Sequence, residues 1–210
     1  MEQLDQISAT LALTMGVGWA SGINLYATLL TLGILAQTGN VQLPPDLQIL
    51  GNPLVIGAAG LMYAIEFFAD KIPGVDSVWD GIHTFIRIPA GAILAAGAVG
   101  DVTPALGLAA AVLGGGLATS THATKAGSRV LINTSPEPFS NWAASIGEDI
   151  TVISGMWLCL QHPFFFLIGL AIFIGLMIWL LPKIWKGIKK VFQFISNLFG
   201  SNQSTNPPTP

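Results

Sequence analysis

Six stretches of mostly apolar residues follow one another along the chain. They run over about 7–35, 49–69, 78–99, 104–131, 139–160 and 164–181. A helix crosses a bilayer with roughly 20 such residues, so the pattern predicts an all-α membrane protein of about six transmembrane helices. Breakers separate the stretches: Gly39 with Pro44 and Pro45, Pro73-Gly74, Gly100-Asp101, Pro136 with Pro138, and His162-Pro163. The third stretch is the least uniform, because its first half is polar and Arg87 lies inside it. A four- or five-span chain with a re-entrant segment is therefore the alternative.

After residue 181 the pattern changes. Lys183, Lys186, Lys189 and Lys190 interleave with Ile184, Trp185, Ile188, Val191 and Phe192. Pro182 is expected to end the sixth helix. This divides the chain into a polytopic domain over 1–182, an amphipathic interfacial helix over 183–199 and a disordered Ser/Asn/Pro-rich tail over 200–210. A plain stop-transfer anchor is the other reading of 183–199.

Composition agrees with the membrane assignment. The chain is 52% hydrophobic and 9% charged, where soluble domains are about a quarter charged. The single cysteine, Cys159, excludes a disulfide framework or a cysteine zinc site. A net charge of −3 gives no footprint for nucleic acid. The first five residues carry Glu2 and Asp5 but no Lys or Arg, so no cleaved signal peptide is expected. All eight basic residues fall toward one side if six helices cross and the N-terminus is cytoplasmic. The expected location is a cell membrane, multi-pass, with both termini on the cytoplasmic side.

The first and fourth stretches are both too long and both interrupted. GVGWASGIN at 16–24 and GGGLATSTH at 114–122 match when Gly18 is set on Gly116. Each half then has three helices, and a 3+3 inverted repeat with interrupted first and fourth helices would result. Such breaks point to a binding site at the membrane midplane. Close helix packing through small residues is the competing explanation.

Ionisable groups inside spans are costly and suggest function. The densest cluster is Glu66, Asp70, Lys71, Asp76, Asp80, His83 and Arg87. The last four are spaced 4, 3 and 4, which puts them on one helix face. They suit internal ion pairs, a proton relay through histidine, or a divalent cation. Whether a metal binds is left open by the sequence. A second cluster is Thr119, Ser120, Thr121, His122, Thr124, Lys125, Ser128 and Arg129, of which Arg129 reads as an anchor. Glu148-Asp149 in the fifth stretch needs a counter-charge, and His122, Lys125 and Arg129 are the candidates. His162 receives no role.

Three segments carry a family resemblance: ASGINLY at 20–26, EFFADKIPGVDSVWD at 66–80 and HTFIRIPAG at 83–91. With 119–127, they resemble the uncharacterised domain-of-unknown-function 4126 family over about residues 7–181. The resemblance implies an integral membrane domain and supplies no substrate and no catalytic residues.

The leading functional reading is a small transporter or channel for an ion or small polar solute. Its site would combine Ser21, Gly22, Asn24, Thr119, Ser120 and His122 from the two breaks. Glu66, Asp76, Asp80, His83 and Glu148 would couple or gate it, with Asp70, Arg87 and Lys125 along the same pathway. The rivals are a non-transporting membrane scaffold and a lipid-handling membrane enzyme using Asp76, Asp80 and His83. No nucleophile elbow, HExxH or phosphate loop supports catalysis, and no cofactor is implied. The expected partners are the lipid bilayer, the solute and a second copy of the chain.

Overall fold

The computed structural model describes residues 2–134 and 139–200. Among them the chain is helical throughout, with α1 Glu2–Gln37, a 3-10 helix Pro45–Gly51, α2 Pro53–Ala69, α3 Val75–Ala98, α4 Pro104–Ile132, α5 Phe139–Gln161 and α6 Pro163–Gly200. The expected divider at Pro136 and Pro138, and the tail over 201–210, lie outside the described residues.

Five of these helices pass a test of length and hydropathy for crossing a membrane: α1, α3, α4, α5 and α6. The 17-residue α2 reaches that standard only with the 3-10 helix before it, at a bend of 69°. Six straight spans are not what the chain forms, and α1 is the reason.

Asn24 interrupts α1 with extended backbone angles, φ −147° and ψ 100°. Its side-chain Oδ1 accepts from the backbone N–H of Ala27 at 2.9 Å, so it caps a new helix, an arrangement that favours Asn. The two arms run in opposite directions, as their neighbours show. On the first arm, Ser21 lies opposite Gly91 of α3, where a Cβ would stand 3.5 Å from the Ser21 Cβ. Past the break, Tyr26 meets His83 at 3.0 Å, deeper along α3. The second arm then climbs back. Gly33 faces Ile56 of α2 and the Leu50 carbonyl, and Leu30 faces Gly60. Since Glu66 of α2 pairs with Arg87 of α3, ten residues back along α2 brings Ile56 level with Gly97. Gly97 itself abuts Leu47 of the 3-10 helix. Helix α1 is thus a hairpin that enters and leaves the bundle at one end. At 1.5 Å per residue, its tip beside Asp149 lies about 15 Å from the start of α5.

The first arm, α3 and α4 meet through small residues at i, i+4 spacing. A Cβ on Gly114 would overlap the Ala95 methyl and stand 2.8 Å from the Gly91 carbonyl, and one on Gly18 would stand 2.6 Å from the Gly114 carbonyl. Gly22 faces Thr121 and Ala118 in the same way. Backbones approach this closely only where side chains are missing. This corrects the expectation of an interrupted fourth helix: α4 is continuous, and Gly114 makes room for its neighbours. The inverted repeat loses its second break.

Pro182 does not end α6 either. The helix continues to Gly200 with Pro182 inside it. The continuation is held by α4, since Ile184 is buried and its Cγ2 would stand 2.6 Å from a Cβ on Gly127, while Gly187 faces Leu131. At 38 residues, α6 is about 57 Å long, well beyond a hydrocarbon core of roughly 30 Å.

The outward surface is apolar. Val78, Ile82, Phe85 and Ile93 on α3 are exposed, while Asp76, Asp80, His83 and Arg87 are buried. A bundle with its charges inside and its large apolar groups outside inverts the soluble pattern and suits a lipid surround.

Candidate functional site

The hairpin tip and the turn between α2 and α3 enclose one continuous polar network. The α3 spacing of 4, 3 and 4 turns its polar stripe inward, where α2, α4 and α5 supply partners. Arg87 has no exposed side-chain surface. It donates to Glu66 at 2.7 Å and to Asp80 at 2.9 Å. Lys125 of α4 bonds Asp70 at 2.9 Å and has Glu148, Glu66 and Asp80 at 3.4, 3.5 and 3.6 Å. Arg129 bonds Glu148 of α5 at 2.7 Å and donates to the Asp70 and Asn141 carbonyls. Four carboxylates therefore share three cations. Glu66 Oε2, Asp70 Oδ1 and Asp80 Oδ2 are buried without a hydrogen-bond partner among the described residues. Burial at this density is tolerable only because each charge is opposed, and removing one partner of a buried pair costs about 3–5 kcal/mol.

Two histidines border the network in defined tautomers. His122 Nδ1 lies 3.2 Å from the Arg87 guanidinium, which can only donate. The ring proton therefore sits on Nε2 and is given to Thr84 at 2.7 Å, whose hydroxyl donates to the Asp80 carbonyl. His83 Nδ1 donates to the Trp79 carbonyl at 2.8 Å, and in the neutral ring Nε2 accepts from Tyr26 at 3.0 Å. The Trp79 ring stacks on His83 at 4.2 Å.

At the hairpin tip, Asn24 Nδ2 donates to Asp149 Oδ1 at 3.0 Å. Thr28 donates to the Asn24 carbonyl at 2.8 Å, and Thr121 reaches the Trp19 carbonyl at 3.1 Å in the last turn of the first arm. The backbone groups freed by the break are thus partly answered by side chains. Ser21 is fully buried and its hydroxyl has no partner among the described residues.

The predicted residues divide by place. Asn24, Glu66, Asp70, Asp80, His83, Arg87, His122, Lys125 and Glu148 come together. Gly22 serves the packing of α1 on α4. Asp76 stands apart: in the first turn of α3 it accepts from the N–H of Gly74 and Ser77 and from Asn133 at 2.8 Å. Thr119 and Ser120 face outward and donate to their own helix at the Gly115 and Gly116 carbonyls. Thr121, one residue on, is the hydroxyl that points inward. Arg129 is a fully buried member of the network, where its place near the helix end suggested an anchor. Lys71 bonds Ser145 and the Phe67 carbonyl. Loss of hydration in the turn lowers its ammonium pKa, against the raising influence of Asp149 and Asp70. Asn133, Asn141 and Tyr26 join the site without any charge pattern that marked them.

Asp76, Asp80 and His83 each have separate partners: Asn133 for Asp76, Arg87 for Asp80, and Tyr26 with the Trp79 carbonyl for His83. Among the described residues, no group of three or more His, Cys, Asp or Glu is disposed to hold a metal ion.

The network is open at one place. Glu148 keeps 19% of its side-chain surface exposed, while the six other charged partners are at 3% or less. It opens into a crevice of about 350 Å³ between α4 and α5.

A family model described as a domain of unknown function (DUF4126) matches residues 11–183. No curated protein and no solved structure matches the chain.

Proposed function

The chain belongs to the DUF4126 family, and from its buried polar core we propose that it is a small membrane transporter or channel for an ion or small polar solute. The observation that carries this reading is the hairpin tip. A helix broken at mid-depth, with Asn24 bonded to Asp149 beside a network of seven charges, places polar backbone where lipid gives no hydrogen bonds. Non-helical backbone is tolerated at that depth only where protein or a polar cavity surrounds it. Re-entrant tips that meet buried charges suit binding and release of a solute. A scaffold needs neither a break nor a carboxylate left open at a crevice.

In this reading α2 to α6 cross the bilayer, and α1 dips in and returns. The Lys71 turn and the lysines of α6 lie at one end of the bundle, the cytoplasmic end by the positive-inside bias. Glu2, Asp5, Asp46 and Asp101 lie at the other, with no basic residue. Five crossings after a hairpin put the N-terminus outside and the C-terminus inside. That replaces the arrangement with both termini cytoplasmic, which required α1 to cross. Residues 183–199, the far end of α6, meet the inner leaflet through their lysines.

The test is flux in proteoliposomes against a panel of ions and small polar solutes. Wild-type protein should move at least one of them. Glu66→Gln should lose that flux while its elution as a folded protein is retained. No flux across the panel refutes transport.

A further inference from the structure

Among the ions open to that reading, the α4–α5 crevice selects by its shape and charge. It does not end at Glu148. Thr151 and Phe173 line both it and a second crevice of about 440 Å³ between α5 and α6. The second is apolar and aromatic, with Trp19, Trp157 and Phe166 in its walls. One track thus leads from an aromatic groove on the lipid-facing side to a carboxylate.

The carboxylate is only half used. Glu148 Oε2 holds Arg129 at 2.7 Å and Lys125 at 3.4 Å, and Oε1 makes no hydrogen bond among the described residues. It lies nine residues past Phe139, about 13 Å along α5, at a depth where an unmatched charge is costly. Lys125 lines the same crevice, yet four carboxylates already surround its ammonium. It offers no free positive charge to an anion. Four carboxylates against three cations leave the network one positive charge short. Phe173, an aromatic wall of the carboxylate's own crevice, adds attraction for a cation there. A phospholipid headgroup would bring a phosphate with its amine and restore the imbalance.

We propose that this track binds a lipophilic organic cation, with its apolar body in the α5–α6 groove and its cationic head on Glu148 Oε1, and that it enters sideways from the bilayer. The inference rests on the transport reading for its purpose, but its binding step can be tested without flux.

The experiment titrates full-length protein in neutral maltoside micelles with dodecylammonium chloride, followed by calorimetry. Dodecyl phosphate and dodecyl glucoside serve as the anionic and neutral comparisons. Dodecylammonium should bind saturably and the other two should not. Glu148→Gln should weaken binding by at least about tenfold, the lower end of what a charge-assisted hydrogen bond contributes. Because Glu148→Gln also loses its ion pair with Arg129, a second variant is needed. Gly147 and Gly169 line the two crevices, and a Cβ at either meets nothing within 4 Å. Gly147→Leu and Gly169→Leu should therefore fold normally and block the track, each abolishing binding. Equal binding of dodecyl phosphate, or unchanged dodecylammonium binding in both leucine variants, overturns the proposal. Binding without flux of any solute would leave the site standing and remove the transport reading. Flux of an inorganic ion without dodecylammonium binding would do the reverse.

Discussion

Replacing Asn24 by alanine removes both jobs of one side chain. Oδ1 caps the second arm of α1 at the Ala27 N–H, and Nδ2 holds Asp149. Loss of an N-cap costs about 1 kcal/mol, and a hydrogen bond to a charged group contributes about 1.5–3 kcal/mol. The expected destabilisation is therefore about 2.5–4 kcal/mol. For a chain of this length that is a fall in Tm of about 5–16 °C, read by tryptophan fluorescence in maltoside micelles. Asn24→Asp separates the two jobs. An aspartate still caps the helix but sets a second carboxylate against Asp149. Asn24→Asp should therefore keep the cap and lose only the bond to Asp149, with two carboxylates left facing each other. The exchange Asn24→Asp with Asp149→Asn restores a donor facing a carboxylate. It should recover at least about 1 kcal/mol over the sum of the single changes, the range of coupling seen between residues in contact. A fall in Tm below about 2 °C for Asn24→Ala, or additive behaviour of the exchange, refutes the tip geometry.

Two further predictions concern the fold. Gly114→Val should abolish the monodisperse peak in detergent gel filtration, because its branches meet Ala95 and the Gly91 carbonyl, whereas Gly116→Val should elute as wild type, a Cβ there having nothing within 4 Å; equal behaviour of the two would sink the three-helix packing. In sealed right-side-out vesicles, with Cys159 changed to Ala, Gln3→Cys should react with an impermeant maleimide and Gln193→Cys should react only after permeabilisation. Labelling of both from the same side would show that α1 crosses.

The fold was legible in the sequence wherever burial followed a period. The bounds of α3, α4 and α5 were predictable to within a few residues, because Pro and Gly punctuate them. The α3 stripe was readable too, since spacings of 4, 3 and 4 leave one face for four polar groups. What failed was the reading of glycine. Gly18 and Gly114 look alike in sequence, and both serve close packing. The interruption expected at 16–24 is there, but it falls on its last residue, Asn24, where a capping side chain allows a reversal, and not on its glycines. Periodicity reports which face is buried and not which way the chain runs next, so a hairpin and a crossing helix read the same. Pro182 misled for a related reason: α4 supports α6 past it, and such support is tertiary. The charged residues of the site were identifiable one by one as groups costly in lipid. Their pairing was not, because Asp70 and Lys125, or Arg129 and Glu148, are joined only by the packing of separate helices.

The bond between Asn24 and Asp149 spans 125 positions. During synthesis at about 5–20 residues per second, the hairpin is made roughly ten seconds before its partner emerges. For that time the tip has a cap but no carboxylate, and α5 does not yet exist to shield it from lipid. If α1 dips into the bilayer as proposed, the nascent chain must hold a polar reversal there or keep it out until later helices arrive. A protein built this way completes its first segment only once its fifth long helix has been made.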